Sequence, residues 1–222
     1  IHLPEGNSRI NVKVKHGDET EINGQGPVIT EEAINELFAK LATLTKEDIL
    51  VLAGSIPNTL PEDIYEKILA RLESKGIRVV VDATKDLLLN VLKYHPFLIK
   101  PNNHELGEMF GTVCKTDEDI VHYAKKLQEK GAVNVLISMA GDGAILITED
   151  GQNIKMGTPK GKVVNSVGAG DSMVAGFITG YIRGGNYEEA LKSGTAAGSA
   201  TAFSEGLASL EMYEKMLKQI TE

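Results

Sequence analysis

The chain has a single cysteine, Cys114, no tryptophan, seven prolines and only 5% aromatic residues in 222 positions. One cysteine excludes an internal disulfide, and no cysteine pair offers metal-ligand spacing, which fits a reducing, cytoplasmic setting. Positive charge is also scarce: 23 Lys and Arg face 31 Asp and Glu, for a formal charge of −8. An acidic surface repels phosphate backbones, so no nucleic acid is expected as a partner, although local donors still permit a small anionic substrate. Nor does any run approach the ~20 apolar residues of a membrane helix. The opening IHLPEGNSRI has no signal-peptide pattern. No membrane partner is expected.

What the chain does have is 42% hydrophobic content, enough for a substantial core. RINVKVKHGDETEI, residues 9–22, alternates Ile10, Val12 and Val14 with polar positions around a His16-Gly17-Asp18 turn, the pattern of a hairpin with one apolar face. From Thr30 the spacing of Ala33, Ile34, Leu37, Phe38 and Leu41 predicts a helix. The continuous apolar run DILVLAG follows, as expected of a parallel strand buried on both faces. Helix and run then alternate through RVVVDA, FLIKPN and NVLISMAG, with helices over 61–74, 87–93, 105–110 and 120–130. GAILITEDGQNIKMG alternates like an antiparallel pair, and helices are predicted through Tyr181 and over 187–203. Right-handed crossovers assemble such a series into one mostly parallel, doubly covered sheet.

Open parallel sheets bind ligands beyond the carboxyl ends of their strands, so the polar residues there need a reason. In NSVGAGDSMVAGF, Gly168 to Asp171 fall on the first turn of a helix, where free amides and the helix dipole favour an anion. Asp171 is out of place in an anion site. It is either a general base beside a phosphoryl group or an ordinary first-turn aspartate. SMAGDGA, with Ser138, Gly141, Asp142 and Gly143, admits close approach by a nucleotide or is an Asp-Gly hairpin turn. KPNNHEL groups Lys100, Asn102 and Glu105, which suits phosphate and hydrated Mg²⁺, or forms a capped turn with a surface lysine. Ser55 in AGSIPN and the leading Arg9 are phosphate donors or, respectively, a turn residue and an exposed charge. His95, His104, His122 and Cys114 show no partner spacing.

Together and in this order, VNSVGAGDSMVAGF, LIKPNNHEL and VLAGSIP resemble the PfkB branch of the ribokinase-like carbohydrate kinases. RINVKV, TEINGQGP and YHPFLIKPN point within that family to members acting on fructose 1-phosphate. The resemblance implies a three-layer α/β/α fold with a mostly parallel central sheet and a small β lid. It implies one kinase domain over 1–222, with the lid hairpin at 9–22 and the nucleotide-binding body at 30–222. Asp171 becomes the base that deprotonates the sugar's 6-hydroxyl, with the amides of Gly168, Ala169 and Gly170 as the anion hole. ATP is contacted by Lys100, Asn102, Ser138, Gly141, Asp142, Gly143 and Gly170, and Glu105 acts on Mg²⁺ through water. Arg9 and Ser55 hold the phosphate already on the sugar. Asn165 and Val167, with 201–206, correspond to the monovalent-cation (K⁺) site of some members. Relatives pair their lids in a homodimer.

Family chains begin with an aspartate-bearing strand and a Gly-Gly-Lys-Gly segment, and neither precedes Arg9. The expectation is a member without its leading part, able to bind nucleotide and weakly active at most. Met139-Ala140 replaces a common Leu-Gly and is expected to be tolerated. The competing readings are a tagatose 6-phosphate kinase and a non-catalytic nucleotide- or metabolite-binding module on the same scaffold.

Overall fold

The computed structural model describes residues 1–3, 5–15 and 19–221; the expected His16-Gly17-Asp18 turn lies outside them. Two short strands, β1 (Asn11–Lys15) and β2 (Glu19–Asn23), pair antiparallel with Val12 opposite Ile22. The apolar side chains of this hairpin stay in solvent, Ile10 at 71% and Ile22 at 60% exposure. The Thr30 hydroxyl then accepts from the Ala33 N–H and starts α1 (Glu31–Ala42) where the spacing predicts it.

The body is a six-stranded sheet of β3 (Ile49–Ala53), β4 (Arg78–Asp82), β5 (Leu98–Ile99), β6 (Asn134–Ser138), β7 (Ala144–Ile147) and β8 (Asn153–Met156), in that spatial order. The first four strands run parallel, β7 turns back antiparallel to β6, and β8 reverses again against β7. Helices α2 (Ile64–Leu72), α3 (Lys85–Val91), α4 (Asn103–Met109), α5 (Asp117–Glu129), α6 (Ala169–Gly184), α7 (Tyr187–Ala202) and α8 (Leu210–Thr221) complete the element order.

Both faces of the sheet are covered because successive strand residues point to opposite sides. Val79, Val81, Ile99, Val135, Ile137, Ile145 and Ile147 pack with residues of α2, α3 and α5 in one core. Their neighbours Val80, Leu98, Leu136, Ala144 and Leu146 pack with Met173, Val174 and Phe177 of α6 and Ala190 and Leu191 of α7 in a second. Three layers, helix on sheet on helix, follow directly from unbroken apolar runs.

Several elements depart from the sequence expectation. DILVLAG is not buried on both faces: Val51 is 41% exposed, and among the described residues β3 pairs only with β4. β5 shrinks to two residues between Pro96 and Pro101, neither of which can donate to a ladder. In the antiparallel pair only β8 alternates, whereas all four residues of β7 are buried. α4 and α5 begin earlier than their apolar spacing suggests, because Asn102 and Thr116 close capping boxes with Glu105 and Asp119. Helix α8 was not anticipated, although Met212, Tyr213, Met216, Leu217 and Ile220 recur at helical spacing and pack on α7.

The α6–α7 contact sets the position of α6. A Cβ built at Gly176 would stand 2.6 Å from the Ser193 carbonyl oxygen, and one at Gly180 would stand 2.6 Å from that of Glu189. The two helices touch through backbone. Gly176→Ala should therefore destabilise the fold by about 1–3 kcal/mol, read as a lowered urea midpoint; an unchanged midpoint would show that the helices can separate freely.

Candidate active site

The carboxyl ends of the parallel strands carry the residues singled out from sequence, and the fold lines them up. At one end, the Arg9 Nη1 donates to Ser55 Oγ at 3.4 Å, joining residues 46 positions apart. Ser55 follows β3, and the next turn is pinned from two sides. The Gly54 N–H donates to the Asp82 carbonyl at 3.0 Å, and the Tyr65 hydroxyl donates to the Ala53 carbonyl at 2.9 Å. Both Arg9 and Ser55 are exposed.

β4 ends at Asp82, a residue absent from the sequence-derived set. Its carboxylate pairs with Lys100 one strand over, Nζ to Oδ2 3.2 Å, with side chains 20% and 8% exposed. Burial pushes the Asp82 carboxyl above its usual range, the Lys100 charge pulls it back, and Asp171 adds a further upward push. The reading of Lys100 as a surface lysine therefore fails: the side chain is buried. Asp82 was legible by the rule already applied to the other strand ends, since RVVVDA closes an apolar run on a carboxylate.

Lys100 also reaches the first turn of α6, where a Cβ at Gly170 would lie 3.1 Å from Nζ. The helix is capped by Gly168 at φ 79°, a left-handed conformation that disfavours any side chain, and no side chain caps it. Asp171 is thus a first-turn residue but not the cap. The Ala169 N–H is committed to the Ser166 carbonyl at 3.2 Å, so Ala169 leaves the expected anion hole. The Gly168 and Gly170 amides have no hydrogen-bond partner among the described residues.

Past Lys100, the other half of the capped-turn reading holds. Asn102 Oδ1 accepts from the His104 and Glu105 amides, and Glu105 Oε2 accepts from the Asn102 N–H at 2.8 Å. Asn102 also bridges to Ser138 at the end of β6. The Asp-Gly segment beyond Ser138 is a hairpin connection, a short 3₁₀ turn over Ala140–Asp142 leading into β7. Gly141 and Asp142 are exposed, whereas Gly143 is buried and a Cβ there would meet the Met156 carbonyl at 2.0 Å. Gly143 serves strand packing and offers no approach to a ligand. Ala140 is held at φ 47°, where its methyl costs about 1–2 kcal/mol.

Asn165 meets the end of α7 and the residues after it, and Val167 is bonded to Asn165. The Val164 and Asn165 amides donate to the Ala202 carbonyl, Asn165 Nδ2 donates to the Glu205 carbonyl at 2.9 Å, and Asn165 Oδ1 accepts from the Val167 N–H. His95 Nδ1 is 3.0 Å from the Gly131 carbonyl. Cys114 is buried, which raises its thiol. Among the described residues no three His, Cys, Asp or Glu side chains gather to cage a metal. No described helix is long and apolar enough to cross a membrane.

The profile of the pfkB family carbohydrate kinases matches residues 3–212. A 1-phosphofructokinase of Bacillus subtilis is 51% identical over 97% of this chain and 71% of its own length. A D-tagatose-1-phosphate kinase of Bacillus licheniformis is 37% identical over 97% of this chain and 71% of its own. The crystal structure of phosphofructokinase-2 from Escherichia coli with potassium superposes with a TM-score of 0.87 at 25% identity, covering 98% of this chain and 72% of that one.

Asn102→Ala should cost about 1 kcal/mol through loss of the N-cap. Glu105→Gln, which keeps a capping-box side chain, should stay within about 0.5 kcal/mol of wild type. Urea unfolding of the two variants checks both values.

Proposed function

This chain belongs to the pfkB family of carbohydrate kinases, and on that premise we propose that it transfers the γ-phosphoryl group of ATP to the 6-hydroxyl of fructose 1-phosphate, giving fructose 1,6-bisphosphate. The observation that carries this reading is the first turn of α6. A carboxylate, two unpartnered amides and a buried ammonium converge there, on Asp171, Gly168, Gly170 and Lys100. Asp171 takes the proton of the attacking hydroxyl, while the amides and Lys100 bear the charge growing on the phosphoryl oxygens. Arg9 and Ser55 hold the phosphate at the far end of the sugar. Asn102, Ser138, Gly141 and Asp142 line the nucleotide's path. Magnesium carried with the nucleotide supplies charge neutralisation on the phosphates. Glu105 would hold it through water by the carboxylate oxygen not engaged in its cap. Asn165, bonded to Ala202 and Glu205, and Val167 beside it would hold a potassium ion. Residues 9–22 form a lid over a body at 30–222, and the hairpin's exposed apolar side chains favour a homodimer joined through that lid.

The 37% identity to a tagatose-1-phosphate kinase supports a second acceptor, D-tagatose 1-phosphate, which differs from fructose 1-phosphate at one hydroxyl configuration. A coupled assay across fructose 1-phosphate, tagatose 1-phosphate, tagatose 6-phosphate and fructose 6-phosphate should give the highest kcat/KM for the first. A higher value for any other reassigns the substrate. Asp171→Asn should lower kcat by about 100- to 10,000-fold with Mg·ATP binding retained; undiminished turnover would remove Asp171 as the base. Glu105→Gln should raise the Mg²⁺ concentration needed for half-maximal rate.

A further inference from the structure

Lys100 occupies an electrostatically awkward place. Its ammonium lies near Gly170 on the first turn of α6, where the helix dipole is positive and the Gly168 and Gly170 amides have no partner among the described residues. A lysine on a flexible stem would normally swing away from such a spot into water. Here the side chain is 8% exposed and its carboxylate partner is Asp82, at 3.2 Å. Asp82 is itself 20% exposed and ends the neighbouring strand, so both ends of the pair are fixed by the sheet.

Resting on the phosphoryl-transfer reading above, we propose that Asp82 is a positioning residue for that reaction. It holds the Lys100 ammonium at the first turn of α6 and keeps its charge compensated while nucleotide is bound in the ground state. The consequence follows from differential binding. A bare ammonium attracts the resting polyphosphate and the transition state alike, which tightens binding without speeding transfer. An ammonium already paired with Asp82 contributes little to the resting nucleotide. It contributes more as negative charge accumulates on the transferring group beside Asp171, because it is already in place. Asp82 acts through Lys100 and touches no reacting atom.

The test is a double-mutant cycle of Asp82→Asn, Lys100→Met and the double variant, with Asp82→Glu added. Steady-state kinetics and Mg·ATP calorimetry are run on each, after thermal melts confirm folding. Asp82→Asn should lower kcat by about 10- to 100-fold, a share of the electrostatic contribution, while the ATP KM and the calorimetric Kd both fall several-fold. Neither change should appear when Lys100 is already Met. Asp82→Glu should recover most of kcat. A purely structural role predicts the opposite pattern. ATP binding weakened together with kcat, equal losses with and without Lys100, or an unchanged kcat would each overturn the proposal. Should Asp82→Asn fail to fold, Asp82→Glu carries the cycle: its extra methylene should lower kcat a few-fold only when Lys100 is present. If the wild-type chain transfers nothing to fructose 1-phosphate, the substrate reading fails by itself. The calorimetric arm needs no sugar and still decides the role of Asp82: a Lys100-dependent tightening upholds it, and its absence overturns it.

Discussion

Parallel strands can place two oppositely charged side chains side by side at their carboxyl ends, and the Asp82–Lys100 pair does so where α6 begins. Withdrawing such a pair from water costs more than a surface pair does, so it is weak evidence for stability. Its value here is positional. The sheet register puts Val81 beside Ile99, which brings the two residues that follow them within ion-pair distance. The ammonium then lies close to Gly170, where a Cβ would stand 3.1 Å from Nζ, on the first turn of the helix bearing Asp171. The Gly54 amide, bonded to the Asp82 carbonyl, carries the same line outward to Ser55 and Arg9.

Much of this was readable in advance, and the reasons are specific. RVVVDA, FLIKPN and NVLISMAG are apolar at consecutive positions, and only a strand covered on both faces uses every such side chain. Gly-Ala-Gly-Asp before an amphipathic spacing located the helix start correctly. Other features depended on groups that no pattern displays. Ala169 left the anion hole because its amide turns back to Ser166, a matter of local turn geometry. Gly143 proved to be glycine because the Met156 carbonyl lies against it, a contact fixed by strand pairing. Lys100 looked like a surface residue because its partner, 18 positions earlier in the chain, is brought near only by the sheet.

The comparisons agree with the architecture and add the chemistry that architecture alone does not specify. A sheet of this kind hosts many activities. The narrowing comes from a carboxylate on a helix's first turn beside two unpartnered amides, flanked by a buried cation and a capped Asn-x-x-Glu turn. Glu105 illustrates the economy of that turn. One of its oxygens closes the cap on Asn102, which orients the other, so a single side chain both begins a helix and presents a carboxylate oxygen at the strand ends.

The glycine seam between α6 and α7 also limits how this enzyme can change. With backbone lying on backbone at Gly176 and Gly180, α6 has no side chain at either position that could repack to let it roll or slide. The aim of the Asp171 carboxylate is therefore inherited from a contact one to three turns away. If Asp171 is the base, as proposed, a change of acceptor sugar falls to the loops around it, and specificity drifts while the carboxylate keeps its place.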